Sequence, residues 1–372
     1  MATASARPKA TASLQSQIGK TINDALVAAG LSLKSPSPSA DVAGVAPAEV
    51  EQKGNTVPPG RTATPVSLPG TFVEHSFAHA AGKRRYKLYV PARYRADAAT
   101  PWPLLLMLHG CTQSPDDFAA GTRMNELAEQ HGFLVAYPAQ SANANGSRCW
   151  NWFRPGDQTR ARGEPALLAA LTREVVQRHA IDPRRVYVAG LSAGAAMAVI
   201  LGATHPDVFA AVGSHSGLPY RAAHDVPSAF AAMAGNYPPP AGHDKPAQAP
   251  HPGAPPHATP VVPLIAFQGD GDRTVAASNA DALVRQALGA AAGIEQDKQV
   301  SNGEDNGRSY TRTVYRTRLG DPLVEFWQLH GAGHAWSGGS AEGSYTDAQG
   351  PDASSEMMRF FLQLPGRRHQ GD

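Results

Sequence analysis

Cysteine is nearly missing from this chain. Only Cys111 and Cys149 occur in 372 residues, too few for a disulfide framework to stand in for a hydrophobic core. The pair could form one bridge in an oxidising compartment or remain as two thiols, and the sequence does not choose between these. Also missing is any apolar run near the ~20 residues that cross a bilayer, so no membrane span is expected. Neither sign of charge dominates, since 33 Lys and Arg against 31 Asp and Glu leave a net +2 at pH 7. With no dense basic cluster, nucleic-acid binding has no electrostatic support. The opening residues, Met1 to Ala10, lack a basic segment followed by an apolar one, the mark of a secretory leader. As written, the chain is expected in the cytoplasm, or outside the cell had a leader been removed.

What is present is a globular pattern rich in turn formers: 42% hydrophobic residues, 36 Gly and 32 Pro. Residues 1–70 stand apart and read as a mobile N-terminal arm. Within them Leu14, Ile18, Ile22, Leu26 and Val27 have near-helical spacing, and Pro-rich segments follow. From Thr71 the chain becomes regular. Arg84 to Val90 alternates like an edge strand, while Leu104 to His109 and Phe133 to Tyr137 are continuous apolar runs, as in strands covered on both faces. Asp116 to Gln130 and Pro165 to Ala180 read as helices. The strand around Val186, the helix from Ala195, the strands at Phe209, Val262 and Leu323, and a helix over Ser354 to Leu364 complete the series. Alternating strands and helices imply one α/β domain over 71–366, a mostly parallel doubly wound sheet with helices on both faces, followed by a short tail over 367–372. A long Pro/His-rich loop over 219–260 interrupts it. Its His243, His251 and His257 lack a tight metal-ligand spacing.

The chemistry is announced at Gly190-Leu191-Ser192-Ala193-Gly194, where a β-branched strand turns into an Ala-rich helix. In that setting Gly-x-Ser-x-Gly reads as a nucleophile turn. The glycines permit a reversal with no room for a Cβ, and the helix start offers backbone N–H groups where negative charge develops. A serine hydroxyl needs a base, and the base an orienting carboxylate, in the chain order Ser, acid, His. Two later strands empty into suitable loops. Gly269-Asp270-Gly271-Asp272 offers the acid, and His330-Gly331-Ala332-Gly333-His334 offers the base. Asp272 is preferred over Asp270 because it lies farther out from its strand, and His334 over His330 because it follows the flexible Gly-Ala-Gly. The second loop of an oxyanion hole is sought after an earlier strand, where Leu108-His109-Gly110-Cys111-Thr112-Gln113 fits. The backbone N–H groups of Cys111 and Ala193 are then the expected donors. In the aromatic loop Cys149-Trp150-Asn151-Trp152-Phe153, Trp150 is the expected substrate contact, with Trp336 beside the base as a second. Nothing in this chemistry calls for a metal or an organic cofactor.

Taken together, the motifs at Leu108, Cys149, Gly190, Gly269 and Gly333 resemble those of the polyhydroxybutyrate-depolymerase-type esterases of the α/β-hydrolase superfamily. The likeness extends from about Phe72 to Phe361. It implies Ser192 as nucleophile, Asp272 as acid, His334 as base, Cys111 and Ala193 as oxyanion donors, and an aromatic of the Trp150 type at the cleft. The implied substrate is a polymeric or oligomeric hydroxyalkanoate ester. Secreted members carry a leader and some a polymer-binding module. Neither is expected here, which favours soluble oligomers or short acyl esters. Feruloyl and acetylxylan esterases share much of the pattern and form the alternative. A silent hydrolase-fold binding protein would normally lack one of the three residues. The sequence says nothing of oligomeric state.

Overall fold

A computed structural model describes residues 68–98, 100–236 and 261–365. The N-terminal arm, apart from its last three residues, lies outside them, as do the segment carrying His243, His251 and His257 and the tail over 367–372.

The chain runs through β1 (Thr71–His79), β2 (Gly82–Val90), β3 (Trp102–Leu108), α1 (Pro115–Thr122), α2 (Met124–His131) and β4 (Leu134–Pro138). It continues through α3 (Gly163–Arg178), β5 (Ile181–Leu191), α4 (Ala193–Thr204), β6 (Ala211–His215), α5 (Val226–Met233), β7 (Leu264–Gly269) and α6 (Ser278–Ala290). Then follow β8 (Gln296–Asp305), β9 (Arg308–Thr317), β10 (Pro322–Leu329), the short pair β11 (Trp336–Ser337) and β12 (Thr346–Asp347), and α7 (Ala353–Gln363). Ten strands form one sheet in the order β1-β2-β4-β3-β5-β6-β7-β10-β9-β8. The run from β4 to β10 is parallel, and antiparallel hairpins close both sides.

Burial explains why the central strands read as unbroken apolar runs. In β3 the alternation sends Leu104, Leu106 and Leu108 into one core and Leu105 and Met107 into the other, so both faces must be apolar. The first core packs under α3, α4, α5 and α6, and the second under α1, α2 and α7. This is the α/β-hydrolase fold. Among the described residues no helix is long and apolar enough to cross a membrane.

Three expectations are corrected. Arg84 to Val90 is not an edge, because β1 lies outside it and pairs along its whole length. The single helix over Asp116 to Gln130 is two, broken at Arg123, whose φ of 51° lies in the left-handed region. That turn lets its guanidinium donate to Gly338 O and Asp352 Oδ2. The loop over 219–260 contains a helix, α5, started by a reciprocal capping box between Asp225 and Ser228.

Candidate active site

The nucleophile turn is a close-packed corner between β5 and α4. Ser192 has φ 57° and ψ −120°, a sparsely populated conformation for a side chain with a Cβ and one that concentrates at functional sites. Its backbone N–H donates to His215 O at 2.9 Å, which ties the corner to the end of β6. Both flanking glycines are required by space. A Cβ on Gly194 would sit 2.0 Å from Leu108 O, and one on Gly190 would sit 2.5 Å from the carbonyl carbon of Gly194. Every residue from Ala193 to Leu201 is buried, so an Ala-rich α4 is what the space between its neighbours admits.

The acid and base loops follow β7 and β10, which are parallel neighbours in register over Leu264–Gly269 and Val324–Leu329. Their C-terminal ends therefore lie side by side. His334 Nδ1 meets Asp272 Oδ2 at 2.7 Å, with side-chain exposures of 3% and 0%. The other oxygen, Oδ1, accepts the N–H groups of Thr274 and Val275, each at 2.8 Å, and Gln268 Nε2 donates to Oδ2 at 3.2 Å. Burial works to raise the Asp272 pKa. The charge and hydrogen bond of His334, with the two backbone donors, outweigh it and hold the carboxyl below its ordinary value. Asp272 is thus kept ionised, and Nε2 of His334 is left for another partner. Beside this pair, His215 is fully buried, stacked against Phe267 and Trp336, and accepts the Ser337 N–H at Nε2. Burial foremost, then the neighbouring His334, lowers its pKa to about 3, so it stays neutral.

Cys111 and Ala193, the expected oxyanion donors, border the same cleft as Ser192 and His334. The Cys111 loop is pinned at several points. Gln113 Oε1 accepts the Gly110 N–H at 2.8 Å while its Nε2 donates to Ser344 O at 3.0 Å. Thr112, at φ 67°, donates its N–H to Ser147 O, and its hydroxyl meets Tyr345 Oη at 3.0 Å. A disulfide joins Cys111 to Cys149, which settles the choice left open by the sequence. Gln113 and Gln268 thus support the site, although neither was singled out in the sequence. Gln113 was visible only as the last residue of the Leu108 motif, and Gln268 only as a polar residue near the end of an apolar strand.

The two tryptophans expected at the cleft are placed elsewhere. Trp150 is fully buried, donates Nε1–H to His109 O at 3.0 Å and packs against the Arg84 guanidinium. Trp336 is buried too, donating Nε1–H to Ser354 Oγ at 3.1 Å and meeting Phe118 edge-on. Trp152 and Phe153, two and three residues past Trp150, border the cleft instead. With Leu218, Val226, Ala229, Phe230 and Met233 they give it an apolar wall. The alternatives Asp270 and His330 do not border the cleft. They bond to each other, His330 Nδ1 to Asp270 Oδ2 at 2.9 Å.

A serine held at φ 57° at a strand-to-helix corner shares a cleft with His334, whose ring pairs with a buried Asp272 at a neighbouring strand end, on an α/β-hydrolase fold. The fold agrees with that of an acetyl xylan esterase from Aspergillus awamori, at TM-score 0.57 and 18% identity over 79% of this chain and 99% of that one. The family model "Esterase PHB depolymerase" matches residues 84–307, and the chain belongs to that family. It is 37% identical to poly(3-hydroxyalkanoate) depolymerase C of Paucimonas lemoignei over 66% of this chain and 57% of that protein. It is also 33% identical to feruloyl esterase B of Neurospora crassa over 36% of this chain and 44% of that protein. The matched regions cover little more than half of the first relative and less than half of the second.

Proposed function

We propose that this chain is a serine esterase that hydrolyses short-chain acyl esters through an acyl-enzyme on Ser192, with polyhydroxybutyrate or its 3-hydroxybutyrate oligomers as substrate. The observation that carries the reading is one cleft bordered by left-handed Ser192 and by His334, whose Nδ1 is held by a buried, ionised Asp272. His334 Nε2 takes the Ser192 proton as the hydroxyl oxygen attacks the ester carbonyl. Asp272 steadies the imidazolium, and the N–H groups of Cys111 and Ala193 receive the oxyanion. The imidazolium then protonates the leaving alcohol. Water, activated by the same imidazole, releases the acid and restores the serine. The apolar wall from Leu218 to Met233 suits a small acyl chain.

Ser192→Ala is expected to abolish p-nitrophenyl butyrate hydrolysis and labelling by a fluorophosphonate probe with the fold intact. Retained turnover would overturn the assignment. The feruloyl and acetylxylan alternative, favoured by the match to feruloyl esterase B, is separated by rates on 3-hydroxybutyrate oligomers against methyl ferulate. Faster turnover of the ferulate would move the substrate class while leaving the serine mechanism in place.

A further inference from the structure

The acid and base loops are bridged twice. The inner bridge is Asp272–His334. The outer one, Asp270–His330, starts two residues earlier on the acid loop and four residues earlier on the base loop. It is the more exposed, at 34% and 37% against 0% and 3%, and neither of its residues borders the cleft that holds Ser192. It is nevertheless bonded on both sides. Asp270 Oδ2 meets His330 Nδ1 at 2.9 Å and Oδ1 accepts the Gly331 N–H at 2.6 Å. On the far side of the ring, His330 Nε2 meets Thr311 Oγ1 at 3.0 Å, and Thr311 also bonds Asn302 Oδ1 at 2.8 Å. Arg308 Nη1 donates to His330 O at 3.0 Å. The outer bridge is therefore anchored to the hairpin of β8 and β9, which flanks β10.

We infer that Asp270 and His330 form a clasp that fixes the register of the acid loop against the base loop and so aims His334; both are positioning residues for the esterase reaction. The inference rests on Asp272 and His334 being the acid and base. Two physical facts support it. A partly exposed side-chain pair adds little to global stability, so this much bonding is better explained by geometry than by stability. A displacement of about 1 Å at a reacting group can cost ~100-fold in rate, so a tie that removes a fraction of that freedom has a kinetic effect. The backbone bonds between the loops, Asp270 N–H to Leu329 O at 3.1 Å and Gly271 N–H to Ala332 O at 3.0 Å, set the base of the crossing. The clasp spans farther out, reaching Gly331 within the Gly-Ala-Gly segment that leads to His334.

The test is steady-state kinetics on p-nitrophenyl butyrate with thermal melts, using Asp270→Ala, His330→Ala, the double variant, His330→Asn and Asp272→Asn. Asp270→Ala and His330→Ala are each expected to lower kcat by ~10-fold with KM nearly unchanged. The double variant should be no worse than the poorer single one, since both remove the same bridge. His330→Asn, whose side-chain amide can donate where Nδ1 did, should recover most of the loss. If Asp270→Ala folds poorly, His330→Ala, which leaves Asp270 bonded to the Gly331 N–H, carries the test. Wild-type kcat in both alanine variants, additive losses, no rescue by His330→Asn, or a fall in Tm with kcat unchanged would each overturn the clasp. Wild-type activity in Asp272→Asn would instead overturn the acid–base reading beneath it.

Discussion

At the scale of single residues, an ionised Asp272 gives a sharp expectation. Asn in its place keeps the shape, but its amide can offer Nδ1 of His334 a donor and so favour the wrong tautomer. Asp272→Asn is expected to lower kcat roughly 10⁴-fold, and Asp270→Asn far less; the reverse ranking in steady-state assays would move the acid to Asp270. Ser192, Asp272 and His334 could be singled out in the sequence because their order along the chain and their positions after apolar strands are covalent facts, and the structure puts Ser192 and His334 on one cleft with Asp272 bonded to His334. The tryptophans were not legible. Flanking loop residues place an aromatic near the surface, but the direction of the ring depends on where its indole N–H finds an acceptor. Trp150 finds His109 O and Trp336 finds Ser354 Oγ, both in the interior, which leaves Trp152 and Phe153 at the cleft. That choice is made by tertiary partners, which no spacing rule contains.

At the scale of elements, the parallel strands and α4 were readable because burial on all sides leaves a continuous apolar run, and α3 and α7 because burial on one helical stripe leaves a period in the sequence. The hairpin β8–β9 leaves none. Residues of β8 are almost all exposed and those of β9 mostly half-buried, so no apolar pattern marks them. Helix α5 was hidden by its Pro/His-rich surroundings, yet it supplies Val226, Ala229, Phe230 and Met233 to the cleft. Its last carbonyls are held by Asn279 Nδ2, at 2.9 Å from Ala232 O, so the wall has a fixed position. Ala229→Phe should then fill acyl space and lower kcat/KM for butyrate relative to acetate by ~10-fold or more. A p-nitrophenyl ester ladder reads this directly, and an unchanged profile would remove α5 from acyl selection. The disulfide is a second device of this scale, joining the oxyanion loop to the aromatic loop across 38 residues. Replacing both cysteines by Ala is expected to cost about 3 kcal/mol of stability by thermal or denaturant unfolding. It should also lower kcat, because the Cys111 N–H loses one of its anchors; an unchanged kcat would show that Gln113 and Thr112 suffice.

For the whole molecule, the buried histidines set how folding stability responds to acid. His109 at the end of β3, His205 after α4 and His215 at the end of β6 are all buried. Burial foremost lowers their pKa values from 6.5 to about 4, about 4 and about 3 respectively. In the unfolded chain these rings take up protons as pH falls through 6.5, while in the folded protein they do not until about 4 or below. The unfolded state therefore binds more protons across that window, and stability must fall as pH falls, by about 1.4 kcal/mol per pH unit for each histidine. Glu164 works in the opposite direction. It is buried, and burial together with nearby Asp157 raises its pKa above the ordinary value, so the folded state gains from protonating it early. Asp157, whose pKa burial also raises, works in the same sense, so these two carboxyls oppose the three histidines. Asp207, paired with Arg160 and Arg173, and Asp272 are both held below 3.8. Their stabilisation is complete above that value and is lost only as pH falls further, so they do not mask the histidine window. Melting curves between pH 7 and pH 4.5 should thus show a Tm that declines steadily before the carboxylates titrate. His215→Gln keeps an acceptor for the Ser337 N–H but cannot take the proton, so its decline should be shallower than that of the parent protein. A flat Tm over this range, or identical slopes for the two proteins, would mean that these rings are protonated in the fold and that the neutral stack of His215 beneath the Asp272–His334 pair is wrong.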